Sequence, residues 1–356
     1  MESLNNLKNF YKNKRIFITG HTGFKGMWLF LILRFFGAKV KGYSLSLSKN
    51  DNFIFFRLFK KKFQKETFFN DIVDYKILSK KINSFKPHII FHLAAQSLVI
   101  ESQKKPLETL ETNILGTNNL IKSSINQKSI KSVVIATSDK CYLNINKKKA
   151  FDENSTLGGV EVYSSSKAMC EQLINSYLSK SKEKLRFGLS SVRAGNVIGG
   201  GDFSKYRIIP DIIKNFKSKT ISLRNPKHIR PWQHVLDVCY GYLLIPIFHY
   251  KNKMKYSGPY NIGPFEKKYI NVLNLTKKFS KVIGKKYKIK VQKIKFIESK
   301  LLLLNSQKIK KFLKWFPLYN FEKSIYVTAL WYKYYLEKKD MKKFTLSQIE
   351  NYFNVR

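Results

Sequence analysis

Residues Arg15 to Gly26 read RIFITGHTGFKG. The opening RIFIT is a short apolar run of the kind that fills a buried strand, and an apolar helical stretch follows from about Phe24 to Phe36. Between them stand Gly20, Gly23 and Gly26. Strand, glycine-rich turn and helix is the order that brings a pyrophosphate against backbone amides at a helix N-terminus, where a side chain would hold the phosphates away. A glycine triplet alone is weak, but this placement predicts a dinucleotide site.

Working outward, Lys39 to Tyr43 (KVKGY), His88 to Leu93 (HIIFHL), Ser132 to Thr137 (SVVIAT) and Leu189 to Arg193 (LSSVR) are further short apolar runs, with helical patterns between several of them. Such alternation predicts an α/β fold, a doubly wound parallel Rossmann sheet whose ligands lie beyond the strand C-termini. Residues 12–200 are assigned to this dinucleotide-binding domain, which also carries the catalytic residues. Past the glycine-rich Gly199 to Gly201 the elements shorten, and residues 201–336 are read as mainly a smaller substrate-binding lobe, some segments returning to the sheet. Phe321 to Leu336 shows an aromatic-rich helical pattern, and residues 337–356 form a C-terminal tail without assignment. Lys60 to Lys62 and Lys147 to Lys149 are expected to be solvated loops.

The formal net charge of +44 would ordinarily suggest nucleic acid or an anionic membrane. Only nine of the 67 basic residues are Arg, however, and the 58 Lys are spread almost evenly with abundant Asn, Ile, Phe and Tyr, a pattern of codon bias more than of a binding stripe. No nucleic-acid partner is expected. Four of the Arg, Arg193, Arg207, Arg224 and Arg230, fall close together, and where guanidinium survives a general drift to Lys a diphosphate clamp is a candidate role. Cys141, Cys170 and Cys239 lack metal or disulfide spacing, so no metal is expected and a reducing cytoplasm fits. The apolar stretch Met27 to Leu33 is too short for a bilayer span and wrongly flanked for a signal peptide, so no membrane association is expected.

Tyr163 and Lys167 in YSSSK lie four apart on one face of an expected helix. An ammonium beside a phenol lowers the phenol pKa and lets Tyr act as a base toward a sugar hydroxyl. The cluster Ser138, Asp139 and Lys140 lies just past a strand, where catalytic groups belong in this fold.

With these residues in view, the chain resembles the extended short-chain dehydrogenase/reductases, the NAD-dependent epimerase/dehydratase family, and among them the CDP-glucose 4,6-dehydratases. TGHTGFKG, FHLAAQSLV, TSDKCY, YSSSK, VRAGNVIGGGD, RIIPDI, RNP, RPWQHV and YNIG occur in that family's order from residue 15 to about 263. The resemblance implies that Thr22, Phe24 and Lys25 join the glycines at the cofactor, that Asp71 and Ile72 flank its adenine, and that Leu93, Ala94 and Ala95 line it. Asn113 would lie in a helix near the active centre. Gln96, Arg193, Asn196, Arg207, Arg224 and Arg230 would hold a sugar nucleotide, with Arg230 on the diphosphate, while His234 is better read as structural. Tyr43-Ser44-Leu45-Ser46 offers no acid for the adenine ribose and no Arg for a 2′-phosphate, and NAD is favoured over NADP.

The implied reaction is conversion of CDP-glucose to CDP-4-keto-6-deoxyglucose by internal hydride transfer through NAD and loss of water, feeding sugars of surface lipopolysaccharide. Ser138, Asp139, Lys140, Tyr163 and Lys167 would be catalytic. Another nucleotide-sugar dehydratase or a 4-epimerase is the alternative, Asp139-Lys140 speaking against the epimerase. A noncatalytic basic binding module is a distant one. Relatives pair through helices near residues 102–125 and 163–179, so a homodimer or higher homo-oligomer is implied.

Overall fold

The computed structural model describes residues 3–46, 54–144, 150–181, 185–264, 270–292 and 301–355. Six strands follow in chain order: β1 (Arg15–Thr19), β2 (Lys39–Ser44), β3 (Thr67–Phe69), β4 (Ile89–His92), β5 (Ser132–Ala136) and β6 (Gly188–Ala194). After the short lobe strands β7 (Val197–Ile198), β8 (Thr220–Leu223), β9 (Ile229–Arg230) and β10 (Gln233–His234), β11 (Gly258–Ile262) returns to the sheet. The spatial order is β11-β6-β5-β4-β1-β2-β3, every neighbouring pair parallel. The doubly wound sheet expected from the sequence is therefore present. Thr19 stands level with both Tyr43 and His92, so β1, β2 and β4 end together and open a crevice where the strand order reverses.

Helix Phe24–Phe35 is buried on nearly every side because it carries almost no polar residue, and helix Val235–Lys251 is buried from Val235 through His249. The two pack against each other, and the second also covers β5 and β6. In the lobe, β10 pairs with β7 and β13 (Lys288–Val291) with β8, while β9 pairs with β12 (Ile270–Asn271).

Helix Phe321–Leu336 spans the residues its aromatic pattern predicts. Trp331 lies over Gly200, where an added Cβ would sit 2.0 Å from the indole. The unassigned tail folds as helix Met341–Asn354, capped by Asp340 and anchored where the Tyr352 hydroxyl donates to Asp237 at 2.6 Å. Its buried Met341, Ile349, Tyr352 and Phe353 are diluted in the sequence by lysines on the outer face. Lys60 and Lys61 prove to be exposed positions of helix Ile54–Phe63 and not a loop, while Lys147 to Lys149 lie outside the described residues.

Candidate active site

At the C-terminal end of β1, Gly20 adopts φ +69° and its amide donates to the Tyr43 carbonyl at 2.8 Å. A Cβ there would stand 2.6 Å from the Ala94 amide nitrogen, and one on Gly26 would be 2.2 Å from the Gly20 carbonyl oxygen. Both positions therefore require glycine for the close packing of turn, helix and β4. Gly23 differs: it caps helix Phe24–Phe35 without a side-chain hydrogen bond, and its Cβ direction meets only the Gly20 oxygen, at 3.4 Å. That leaves helix-terminal amides facing an open cradle, which fits a dinucleotide pyrophosphate.

Thr22 is buried and locks this turn to the end of β2 through Ser44, hydroxyl to hydroxyl at 2.6 Å. Phe24 is in the core, so only its backbone faces the cradle. Leu93, Ala94 and Ala95 are half-buried directly after β4, the Leu93 amide donating to the Thr19 carbonyl at 3.0 Å. Asp71 is exposed and closes its own turn by accepting from the Val73 amide at 3.0 Å, whereas Ile72 is buried against Gly116.

The reaction centre forms beside this cradle. Ser138 begins a short helical turn after β5, its hydroxyl accepting from the Lys140 amide at 3.2 Å and donating to Asp139 Oδ1 at 3.0 Å. Its hydroxyl also favours the phenolate of Tyr163. Tyr163 and Lys167 share one face of helix Val162–Ser181, with Lys167 Nζ 5.8 Å from the Tyr163 ring centroid. Glu161, unnoticed in the sequence, fixes the start of that helix by accepting from the Tyr163 amide at 2.7 Å and the Ser164 amide at 2.9 Å.

Asn113 lies in the π-helical turn Glu111–Leu115, an insertion of the kind that often marks functional sites. It accepts from the Gln96 amide at 2.9 Å and donates to Ser166 of the catalytic helix at 2.9 Å, tying the loop after β4 to that helix. The Gln96 side chain holds its own loop through Leu98 and Thr109.

Burial raises the Asp139 carboxyl pKa, although Lys140, the Ser138 hydrogen bond, Arg230 and Lys25 pull it down, and Oδ2 has no protein partner. A buried acid with one bare oxygen suits proton delivery to a hydroxyl. Burial also pushes the Tyr163 phenol well above its ordinary range, against Ser138 and Arg207, which favour the phenolate. The lysine-driven lowering expected from the sequence does not prevail, because desolvation of the phenol outweighs its cationic neighbours. Burial lowers Lys167 as well. Lys25 is pulled down to about 8 by burial and by the Arg207 and Lys167 charges.

The four clustered arginines separate. Arg193 is 1% exposed, and its guanidinium donates to Glu171 at 2.7 Å, to the Tyr142 hydroxyl at 2.9 Å and to the Glu153 carbonyl at 3.0 Å. This corrects its expected role: it is a buried structural cation whose donors are directed into the core, not a sugar-nucleotide ligand. Arg207 pairs with Asp202 at 3.0 Å and exerts its charge on Tyr163. Arg224 donates to the Tyr206 carbonyl and stands 3.7 Å from Asp211. Arg230 is buried beside His228 and acts electrostatically on Asp139, while half-buried Asn196 accepts from the Gln233 amide at 3.1 Å. His234 is fully buried, caps helix Val235–Lys251 by accepting from the Leu236 amide at 3.3 Å, and is kept neutral by burial, its pKa lowered to about 3. Its structural reading holds.

Residues 17–328 match the family model described as GDP-mannose 4,6 dehydratase. The chain belongs to the GDP-mannose 4,6 dehydratase family. Among its relatives, a CDP-glucose 4,6-dehydratase of Salmonella typhimurium is 37% identical over 98% of each chain. A dTDP-D-glucose 4,6-dehydratase of Dictyostelium discoideum is 28% identical over 70% of this chain and 58% of its own. Among solved structures, the dTDP-glucose 4,6-dehydratase of Bacillus anthracis in complex with NAD superposes with TM-score 0.74 at 23% identity, covering 93% of this chain and 99% of that one. The epimerase Mth375 of Methanothermobacter thermautotrophicus gives TM-score 0.80 at 19% identity, covering 96% and 97%. At those identities the structures speak for the fold, and the family assignment makes the chain a nucleotide-sugar dehydratase-type enzyme. Among the described residues no cluster of His, Cys, Asp and Glu could hold a metal ion, and no helix is long and apolar enough to cross a membrane.

Proposed function

We propose that this chain is a CDP-glucose 4,6-dehydratase that forms CDP-4-keto-6-deoxyglucose with NAD as resident cofactor. The observation that carries this reading is the 37% identity to the Salmonella enzyme over 98% of both chains. NAD supplies the site that accepts hydride from carbon-4 and later returns it to carbon-6. Tyr163 takes the 4-hydroxyl proton, its phenolate stabilised by the Ser138 hydroxyl and the Arg207 and Lys167 charges. Once carbon-4 is a ketone, the proton on carbon-5 is acidic and passes to a base of the site, the electron pair it leaves forming the enolate that expels the 6-hydroxyl as water. Asp139, with its raised pKa and bare Oδ2, gives its proton to the departing 6-hydroxyl. Incubation with CDP-, dTDP-, GDP- and UDP-glucose tests the assignment: a 4-keto-6-deoxy product should form from CDP-glucose, and turnover of another substrate in its place would defeat it.

The elimination step is the one we assign to Lys140, either as the base that takes the carbon-5 proton or as a charge that stabilises the enolate left there, and that charge also acts on Asp139. Lys140→Ala should still form the 4-keto hexose yet slow loss of water about 100-fold or more. Rapid quenching with mass analysis of the sugar checks this, and dehydration at the wild-type rate would remove Lys140 from the step. Arg230→Lys keeps the charge but loses the planar fork, so KM for CDP-glucose should rise about tenfold if Arg230 grips the diphosphate. An unchanged KM would count against that contact.

Self-association is supported by Leu107, Leu115 and Met169, exposed by 73%, 43% and 46% on the helical segments near residues 102–125 and 163–179. A cytoplasmic place in surface-polysaccharide synthesis is consistent with the cofactor and substrate proposed.

A further inference from the structure

Tyr206 adopts φ +61°, a left-handed conformation that disfavours any residue with a Cβ and that concentrates at functional sites. The adjacent Arg207 reaches Asp202 at 3.0 Å and exerts its charge on the Tyr163 phenol, whereas the Tyr206 residue stays 36% exposed. Cations from both halves of the fold meet around this ring. Lys104, ending helix Val99–Lys104 beyond β4, places Nζ 3.4 Å from the hydroxyl and 5.7 Å from the ring centroid, which puts it at the hydroxyl edge and not over a face. Arg224, just after β8, has its guanidinium carbon 5.8 Å from the centroid and donates to the Tyr206 carbonyl. Arg207 itself reaches Ser97 in the loop after β4, at 3.5 Å. An exposed aromatic ring held by backbone constraint at the rim of a cationic mouth, next to the arginine whose charge reaches the Tyr163 phenol, matches a nucleoside diphosphate: a base to stack and phosphates to pair.

We propose that Tyr206 is the platform on which the nucleobase of the sugar nucleotide stacks, with Arg207 and Arg224 joining Arg230 at its diphosphate. The inference rests on the nucleotide-sugar dehydratase reading and adds to it a residue that contributes to recognition of the nucleotide end. Calorimetric titration of CDP and of inorganic pyrophosphate into NAD-saturated wild type, Tyr206→Ala and Tyr206→Phe tests it. Tyr206→Ala should weaken CDP about tenfold and leave pyrophosphate unchanged, while Tyr206→Phe, which keeps the ring, should stay within about twofold of wild type. The alanine variant should raise KM for CDP-glucose with little change in kcat. Equal weakening of CDP and pyrophosphate would overturn the proposal by showing that the ring only positions the arginines, and unchanged CDP affinity would overturn it directly. A wild-type protein that bound neither CDP nor any other nucleoside diphosphate would instead overturn the underlying function, and this proposal with it.

Discussion

Tyr163→Phe should fold and bind its ligands as the wild type does, yet lose turnover by about 100-fold to 10,000-fold, the usual weight of a positioned acid or base. In the mechanism proposed the phenol takes the carbon-4 hydroxyl proton: the Ser138 hydroxyl and the Arg207 charge favour its phenolate, and it shares a helix face with Lys167. Removing one oxygen leaves ring packing and the Glu161 cap in place. The burial that pushes this phenol upward also sets the sign of a pH effect. A group whose pKa is raised in the folded enzyme is protonated at neutral pH, so proton acceptance is favoured as pH rises, and the carbon-4 oxidation step should quicken toward alkaline pH in the wild type. Near-normal kcat in Tyr163→Phe, with circular dichroism unchanged, would remove Tyr163 from the proton transfer.

Arg193→Ala should destabilise the chain by about 3–5 kcal/mol, the cost of leaving one member of a buried ion pair alone. Glu171 is fully buried on helix Val162–Ser181, and besides Arg193 it accepts from Ser191 at 2.8 Å and from Thr137. Arg193 in turn holds the Tyr142 hydroxyl, which donates to Asn261 of β11 at 2.6 Å. The network therefore joins β6 and β11 to the catalytic helix and to the turn carrying Ser138 and Asp139. Loss of the cation leaves a carboxylate in the core without its ion-pair partner, so both the denaturant midpoint and turnover should fall. A midpoint shift equivalent to less than about 1 kcal/mol would show that the pair carries little.

The contrast between these two residues shows what the sequence could convey. Tyr163 and Lys167 were legible because a helix fixes four-residue spacing onto one face, and Gly20 to Gly26 because chain-local geometry determines where glycine is needed. Strand β1 coincides with its apolar run for the same local reason. Arg193 was misleading because its partner Glu171 lies 22 positions away on another element, and nothing along the chain reveals that pairing. Strand β3 has only three residues, all half-buried at the sheet edge, and carries no periodic signal. The charges of Lys167, Arg207 and Asp139 that act on Lys25 were equally invisible, since GFKG shows a helix start and not what surrounds an ammonium. Asp139 showed its position but not its burial, and burial is what raises its pKa.

The proposed reaction is a dehydration in which the hydride lost by carbon-4 is delivered to carbon-6 of the same bound sugar. The direct measurement is reaction of CDP-glucose deuterated at carbon-4, with the product located by mass and NMR. The product should be a 4-keto-6-deoxy sugar carrying the deuterium at carbon-6, with no net change in NAD. Deuterium recovered at carbon-4 of an inverted hexose would make the enzyme an epimerase and contradict the roles given to Asp139 and Lys140.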